Sequence, residues 1–133
     1  MRFIDTNLLI RFFTKDDKEK ANKVLALFKR VEKNEEIITM SPLVIFETIF
    51  TLEKSYGIPG QEIKNLLLPI LALKGLHLAN REIYEHALDF YIEKNISFAD
   101  AYNAACVIKE GIKEIYSYDE DFDKIEGIKR VVP

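Results

Sequence analysis

Two kinds of hydrophobic pattern alternate along the chain, and this alternation is the strongest constraint on its fold. Short runs of β-favouring residues are followed by longer segments in which apolar residues recur every three or four positions, the spacing of one helix face. Strands that alternate with helices predict an α/β domain whose mainly parallel sheet is covered by helices on both faces. The predicted strands are residues 2–4, 36–40, 76–79, 112–118 and 129–132, and the predicted helices are residues 7–13, 17–33, 41–57, 60–75, 80–95 and 97–111.

Polar residues, prolines and glycines predict where several of these helices begin and end. Ser41, followed by Pro42 in the first turn, and Asn80 are typical N-caps. Pro69 predicts a kink in the helix that Gly75 is expected to close.

The length and charge of the chain limit both its organisation and its partners. A chain of 133 residues fits a single domain, residues 1–133, with a sizeable core. The net charge is −3 and the pI is near 5.5, which argues against a protein that binds nucleic acid chiefly by covering phosphates with basic side chains. A nucleic-acid substrate is still compatible with this charge if acidic residues act through bound cations.

The N-terminal sequence and the cysteine content bear on the cellular location of the protein. The sequence shows neither the basic, apolar and small-residue pattern of a secretory signal nor an apolar run of the ~20 residues that a membrane span needs. The single cysteine, Cys106, lies among alanines and a valine, so we expect its thiol to be buried and inert. We therefore expect a cytoplasmic protein that does not bind membranes.

Two acidic residues follow predicted strands. Asp5 comes directly after the first strand, and Asp119 comes directly after the strand at residues 112–118. Ligands of parallel α/β sheets gather at the carboxyl ends of the strands. Asp5 also has a structural interpretation as the N-cap of the helix that follows, although Thr6 is able to take that role and leave Asp5 free.

Glu47 lies on a predicted helix among largely apolar neighbours. The residues three and four positions away are Leu43, Val44, Phe50 and Thr51. Because burial of an unpaired carboxylate is costly, this position suggests a function. A salt bridge to a distant basic residue and a helix edge left in water are the two structural alternatives.

Asp100 has a structural interpretation beside a functional one. Ser97 and Asp100 form the Ser-x-x-acid pattern of a capping box, in which each side chain satisfies free backbone N–H groups at the start of a helix. A carboxylate in a first helical turn is also able to point outward at a shared cation, so the two roles are compatible.

The acidic run after the fourth predicted strand is not a calcium-binding loop. Asp119, Asp121 and Asp123 mimic the opening of such a loop. However, Lys124 stands where the loop needs glycine and Arg130 stands where it needs glutamate.

Four acids at separate positions of the chain are able to converge on one hard divalent cation. Ligation by oxygen alone selects Mg²⁺ or Mn²⁺ over zinc. Because crowded carboxylates repel one another, the cation would be needed to keep all of them ionised. The four are Asp5, Glu47, Asp100 and Asp119.

Four segments, "FIDTNLLI", "SPLVIFETIFTL", "SFADAYNAA" and "YSYDEDFDKI", occur in this order over nearly the whole chain. Together they resemble the PIN-domain ribonucleases, and the compact length resembles their VapC-like toxin members. The resemblance implies a three-layer α/β/α sandwich with a short, mainly parallel β-sheet. It also implies metal-dependent cleavage of RNA by a water molecule that Mg²⁺ or Mn²⁺ activates.

The same resemblance implies a role for individual residues. Asp5, Glu47, Asp100 and Asp119 would be the acidic catalytic quartet, and Asp5, Asp100 and Asp119 would hold the metal. The side chains that would shape the site through hydrogen bonds are Thr6, Asn7 and Ser117. Ser117 stands where the family often has threonine and keeps the hydroxyl, and Asp121 is an alternative to Asp119 as the fourth acid.

The toxin-like members of the family imply two protein partners, a second copy of the chain in a homodimer and a small antitoxin. Three other functions are alternatives: a housekeeping PIN nuclease, a Mg²⁺-dependent phosphohydrolase, and a non-catalytic module of the same fold that binds RNA or protein. The phosphohydrolase is disfavoured because Asn7 stands where an Asp-x-Asp motif would need its second acid.

Overall fold

Five short parallel strands form the two sheets of the protein, whose computed structural model describes residues 1–133. A three-stranded sheet has the order β1-β2-β3, and a two-stranded sheet pairs β4 with β5. All pairs are parallel, which requires the crossover helices that the sequence pattern predicts. The mixed α/β fold with short parallel strands is therefore confirmed. The strands are β1 (Arg2–Phe3), β2 (Ile38–Thr39), β3 (Leu76–His77), β4 (Glu114–Tyr116) and β5 (Lys129–Val131).

Six α-helices and one short 3₁₀ helix connect and cover these strands. None of the six combines the length and the apolar character that a helix needs to cross a membrane. The α-helices are α1 (Thr6–Thr14), α2 (Lys18–Glu32), α3 (Pro42–Lys54), α4 (Gly60–Leu71), α5 (Arg81–Glu93) and α6 (Phe98–Lys109), and the 3₁₀ helix is Glu120–Lys124.

The helix ends differ from the predicted ones where a local contact competes with the sequence signal. The helix α4 ends at Leu71, two residues after Pro69 and well before Gly75, so the expected closure at Gly75 is wrong. Asn80 is at the N-cap position of α5, but its left-handed backbone (φ 57°) leaves its side chain without a capping bond. Its Oδ1 accepts a hydrogen bond from Lys109 Nζ at 2.8 Å, which ties the start of α5 to the end of α6.

The chain divides into two compact units, and the first comprises Met1–Ala79. Its core contains the central strand residue Ile38, which is fully buried. The rings of Phe12 on α1 and Phe28 on α2 meet edge to face, with 5.0 Å between their centroids. Helices α3 and α4 bury apolar faces in the same unit, at Val44, Ile45, Ile49, Leu52, Ile63, Leu67, Ile70 and Leu71.

The second unit comprises Asn80–Pro133 and is built on the packing of α5 against α6. The small buried residues Ala101, Ala104 and Ala105 line α6. The rings of Tyr84 and Tyr102 lie 5.5 Å apart between the two helices, and burial raises the pKa of Tyr84 above its usual value. Cys106 is half-buried, so the expectation of a fully buried thiol is wrong.

Gly75 lies where two backbone segments approach too closely for any side chain. Its N–H donates to Val31 O at 3.0 Å, and its carbonyl accepts from Ile38 N at 2.9 Å, just before β3 pairs with β2. A Cβ atom on Gly75 would lie 2.5 Å from Glu36 O and 2.6 Å from Val31 O. Both neighbours are backbone atoms and cannot rotate away, so the close approach depends on glycine.

We predict that Gly75→Ala destabilises the protein by about 1–3 kcal/mol or more, the cost of forcing atoms into a packed region. Urea unfolding measures this change. Gly111→Ala is the comparison variant, because its added Cβ meets open space and it carries only the strain of a left-handed backbone (φ 71°). A Gly75→Ala loss no larger than that of Gly111→Ala would contradict the close approach.

Candidate functional site

Asp5 lies shortly after the end of β1 and occupies the N-cap position of α1. Its backbone is extended (φ −97°, ψ 163°), and its carboxylate makes no capping hydrogen bond. Thr6 is the first residue of the helix and is buried, so Thr6 does not replace Asp5 as the cap. The exposed carboxylate of Asp5 is nevertheless free of a capping hydrogen bond.

Asn7 lies on the exposed side of the first turn of α1. It lines a surface hollow of about 380 Å³ together with Leu8, Arg11, Lys20 and Lys23. This hollow lies between the start of α1 and the first half of α2, within the first unit.

Thr6 and Glu47 are brought together although 41 residues separate them. The Thr6 hydroxyl donates to Glu47 Oε2 at 2.8 Å, which joins the start of α1 to the middle of α3. Glu47 is exposed, and so are Leu43 (71%) and Phe50 (64%) on the same face of α3. The expectation that Glu47 projects from a buried apolar face is therefore wrong, because α3 buries the opposite face. Of the two structural alternatives, the structure shows the helix edge left in water.

A second group of acids lies in the second unit. Asp100, Asp119 and Asp121 each offer one carboxylate oxygen, and these three oxygens all lie within 4.8 Å of one another. Asp100 and Asp121 are half-buried, whereas Asp119 is exposed. We call these three residues the acidic trio.

Local hydrogen bonds explain how the backbone presents the acidic trio. Ser97 Oγ accepts from the Asp100 N–H at 3.1 Å, so Ser97 caps α6 as predicted and holds Asp100 in the first turn. Asp119 caps the 3₁₀ helix, and its Oδ1 accepts from the Asp121 N–H at 2.9 Å. One turn of helix at each position thus holds the backbone of Asp100 and Asp121, and the carboxylate of Asp119.

Ser117 supports this arrangement from the end of β4. Its hydroxyl accepts from the Asp119 N–H at 2.9 Å, and its own N–H donates to Val131 O on β5 at 3.1 Å. Arg130 donates from Nη1 to the Ser117 carbonyl at 3.3 Å and from Nε and Nη2 to both carboxylate oxygens of Asp123, each at 3.1 Å. The sequence pattern missed this anchoring by Arg130, because an arginine seven residues after an acidic run carries no signal of the contact.

The acids of the trio have displaced pKa values. Burial raises the pKa of Asp100, and the hydrogen bond to Asp119 and the negative charge of Asp119 raise it further. The Asp121 N–H lowers the pKa of Asp119, and the hydrogen bond with Asp100 acts in the same direction. Asp100 is therefore the acid of the pair that takes up a proton first as the pH falls.

The acidic trio fits a hard divalent cation by the chemistry of its donors. All three ligand atoms are carboxylate oxygens, the donor type that Mg²⁺ and Mn²⁺ prefer. Lys124 lies 3.1 Å from Asp121 and offsets part of the negative charge, but no cationic side chain forms an ion pair with Asp100 or Asp119. A bound divalent cation would offset the remaining negative charge.

The structure places the predicted site residues in two groups. Asp5, Thr6, Asn7 and Glu47 lie in the first unit, around the start of α1 and the exposed face of α3. Ser117, Asp100 and Asp119 lie in the second unit, where Asp121 joins them. Asp121 joins this group because the Asp119 side chain accepts from the Asp121 N–H at the start of the 3₁₀ helix. The sequence signal for this contact was the two-residue spacing of Asp119 and Asp121.

Comparison with known proteins assigns the chain to a family. The family model described as PIN domain matches residues 2–128, and the chain belongs to the PIN-domain family. Within this class it is similar to a protein named VapC ribonuclease from Aquifex aeolicus (strain VF5). The two are 26% identical over 133 residues, which cover 100% of this chain and 97% of that protein.

We predict that the affinity of the protein for Mn²⁺ rises with pH in the weakly acidic range. The raised pKa of Asp100 means that a proton competes with the cation at low pH and is lost as the pH increases. Calorimetric titration with Mn²⁺ from about pH 4.5 to about pH 7.5 measures this dependence.

In the same experiment Asp100→Asn should weaken binding and flatten its pH dependence, because the competing proton is gone. Glu110→Gln, which removes an exposed carboxylate just after α6, should leave both unchanged. An affinity of the wild-type protein that does not vary with pH would contradict competition between the cation and a proton on Asp100.

Proposed function

We propose that the protein is a divalent-cation-dependent endoribonuclease that hydrolyses RNA phosphodiester bonds. The observation that carries the proposal is the acidic trio, three carboxylate oxygens within 4.8 Å of one another in a chain of the PIN-domain family. The similarity to a VapC ribonuclease over the full chain supports RNA as the substrate.

We propose Asp5, Glu47, Asp100 and Asp119 as the catalytic acids, with Asp5, Asp100 and Asp119 as the residues that would hold Mg²⁺ or Mn²⁺. When bound, such a cation lowers the pKa of a water molecule and neutralises charge on phosphate oxygens. Asp121 is an additional ligand candidate, because its carboxylate belongs to the acidic trio.

Glu47 is suited to orient or deprotonate the attacking water. The Thr6 hydroxyl occupies Oε2 and fixes the carboxylate, which leaves Oε1 free to accept a proton from water. Asp5 has a carboxylate that is exposed and free of capping bonds, so all of its lone pairs are available to a ligand.

Ser117 and Asn7 have supporting roles in this proposal. The Ser117 hydroxyl holds the Asp119 N–H and thereby fixes the direction of the Asp119 carboxylate. The Asn7 amide is exposed beside Asp5 and is able to hydrogen-bond a phosphate or a sugar hydroxyl of the substrate.

We further propose that the protein is the toxin of a toxin–antitoxin pair, acts in the cytoplasm as a homodimer and binds a small antitoxin. The similarity to VapC ribonuclease is the support for this context. Growth arrest when the chain is expressed alone would distinguish a toxin from a housekeeping nuclease.

We expect labelled single-stranded RNA to be cleaved in the presence of Mg²⁺ or Mn²⁺ and to stay intact with EDTA. Asp5→Asn and Glu47→Gln should each lower kcat by about 100-fold or more, because each removes a charge that acts on the reacting groups. Glu53→Gln is the matched control on α3 and should retain activity, since the Glu53 carboxylate forms an ion pair with the adjacent Lys54 and with none of the proposed site residues.

Undiminished cleavage by both Asp5→Asn and Glu47→Gln would refute the assignment of these acids. Cleavage that persists in EDTA would refute the cation dependence. Release of phosphate from small phosphomonoesters, with RNA left intact, would favour a phosphohydrolase instead.

A further inference from the structure

Two tyrosines beside the acidic trio are more exposed than any other tyrosine of the chain. Tyr116 and Tyr118 are each 75% exposed, whereas Tyr56 is 42% exposed and Tyr84 and Tyr91 are buried. Neither of the two rings stacks on another aromatic ring or forms a side-chain hydrogen bond. A large aromatic surface in water has no role in the stability of this unit.

Both rings lie at the end of β4. Tyr116 is the last residue of β4, and Tyr118 lies at a bend two residues later. Both are exposed, whereas Ile115 and Ser117 beside them are half-buried, so the two rings reach solvent close together along the chain.

The same segment is held rigidly at its centre by Ser117. The Ser117 N–H, hydroxyl and carbonyl are each hydrogen-bonded, to Val131, Asp119 and Arg130 respectively. Because the backbone is held at Ser117, stacking a base on either tyrosine requires ordering only the two χ angles of its side chain. Tyr116 and Tyr118 therefore present two aromatic faces at a low entropic cost.

We propose that Tyr116 and Tyr118 form a stacking platform for unpaired bases of the RNA. The proposal rests on the endoribonuclease function proposed above and specifies how its substrate is held. Stacking on aromatic side chains contributes about 1–3 kcal/mol per base and tolerates any sequence. It requires bases whose faces are free, so the platform selects single-stranded or looped RNA over a continuous duplex.

Position favours a nucleotide over a protein as the occupant. Tyr118 directly precedes Asp119, so its backbone adjoins the acidic trio, where a phosphate of the same RNA strand would lie. The net charge of −3 also limits what phosphate contacts alone are able to contribute, and stacking does not depend on charge. A second copy of the chain is the competing occupant.

The experiment measures the binding of a short, mixed-sequence single-stranded RNA in EDTA, where cleavage is blocked. Tyr118→Ala and Tyr116→Ala should each weaken binding about 5- to 150-fold, which corresponds to the loss of one stacked base. Tyr118→Phe should bind like the wild type, whereas Tyr118→Leu should bind like Tyr118→Ala, because leucine keeps the apolar volume without the π face.

Two controls separate stacking from structural damage. Tyr56→Ala removes an exposed tyrosine whose hydroxyl contacts Asp16 at 2.9 Å on the other unit, and it should leave RNA binding unchanged. The affinity of each Tyr118 variant for Mn²⁺ should equal that of the wild type, which shows that Asp119 keeps its position.

Wild-type binding by the alanine variants, or by Tyr118→Leu, would overturn the platform. Unchanged RNA binding combined with a loss of self-association in sedimentation would assign the two rings to a contact between copies instead. If the wild type cleaves RNA while the alanine variants bind RNA as tightly as the wild type, the platform is refuted and the nuclease function stands. Tyrosine-dependent binding without any cleavage would leave the platform standing and refute the nuclease.

Discussion

Mutual repulsion among the three carboxylates of the acidic trio is the constraint on which the proposed chemistry depends. Oxygens of Asp100, Asp119 and Asp121 lie within 4.8 Å of one another, a separation at which like charges raise the free energy of the folded state. The Asp121 N–H on Asp119 and Lys124 beside Asp121 offset part of this repulsion, and burial together with the remaining repulsion raises the pKa of Asp100. A divalent cation bound at the three carboxylates would offset the same repulsion with two positive charges at one point.

Short-range hydrogen bonds hold these acids in place at little structural cost. Ser97 fixes the first turn of α6, Ser117 fixes the N–H of Asp119, and Asp119 in turn caps the 3₁₀ helix. Each contact spans only two or three residues, so it forms as soon as its turn forms. The long-range contribution comes from Arg130, whose guanidinium joins β5 to the Ser117 carbonyl and to Asp123.

Much of the fold follows from hydrophobic periodicity, whereas the site depends on contacts that periodicity does not encode. All five strands and six helices occur where the alternating pattern predicts them, and the Ser97 cap was visible in the Ser-x-x-acid spacing. Gly75 does not close α4, because its conformation serves a close backbone approach and not a helix end. The exposure of Glu47 depends on which face of α3 the core covers, and two apolar faces on one helix are indistinguishable in sequence. The roles of Asp5, Glu47, Asp100 and Asp119 stay predictions.

The most direct test of the account is the position of Mn²⁺ in crystals of the protein, located by its anomalous scattering. The account predicts a Mn²⁺ ion whose ligands include carboxylate oxygens of Asp100 and Asp119, and its loss in crystals of Asp100→Asn grown under the same conditions. A structure saturated with Mn²⁺ that shows no ion at these carboxylates, or the same ion in the Asp100→Asn variant, would contradict it.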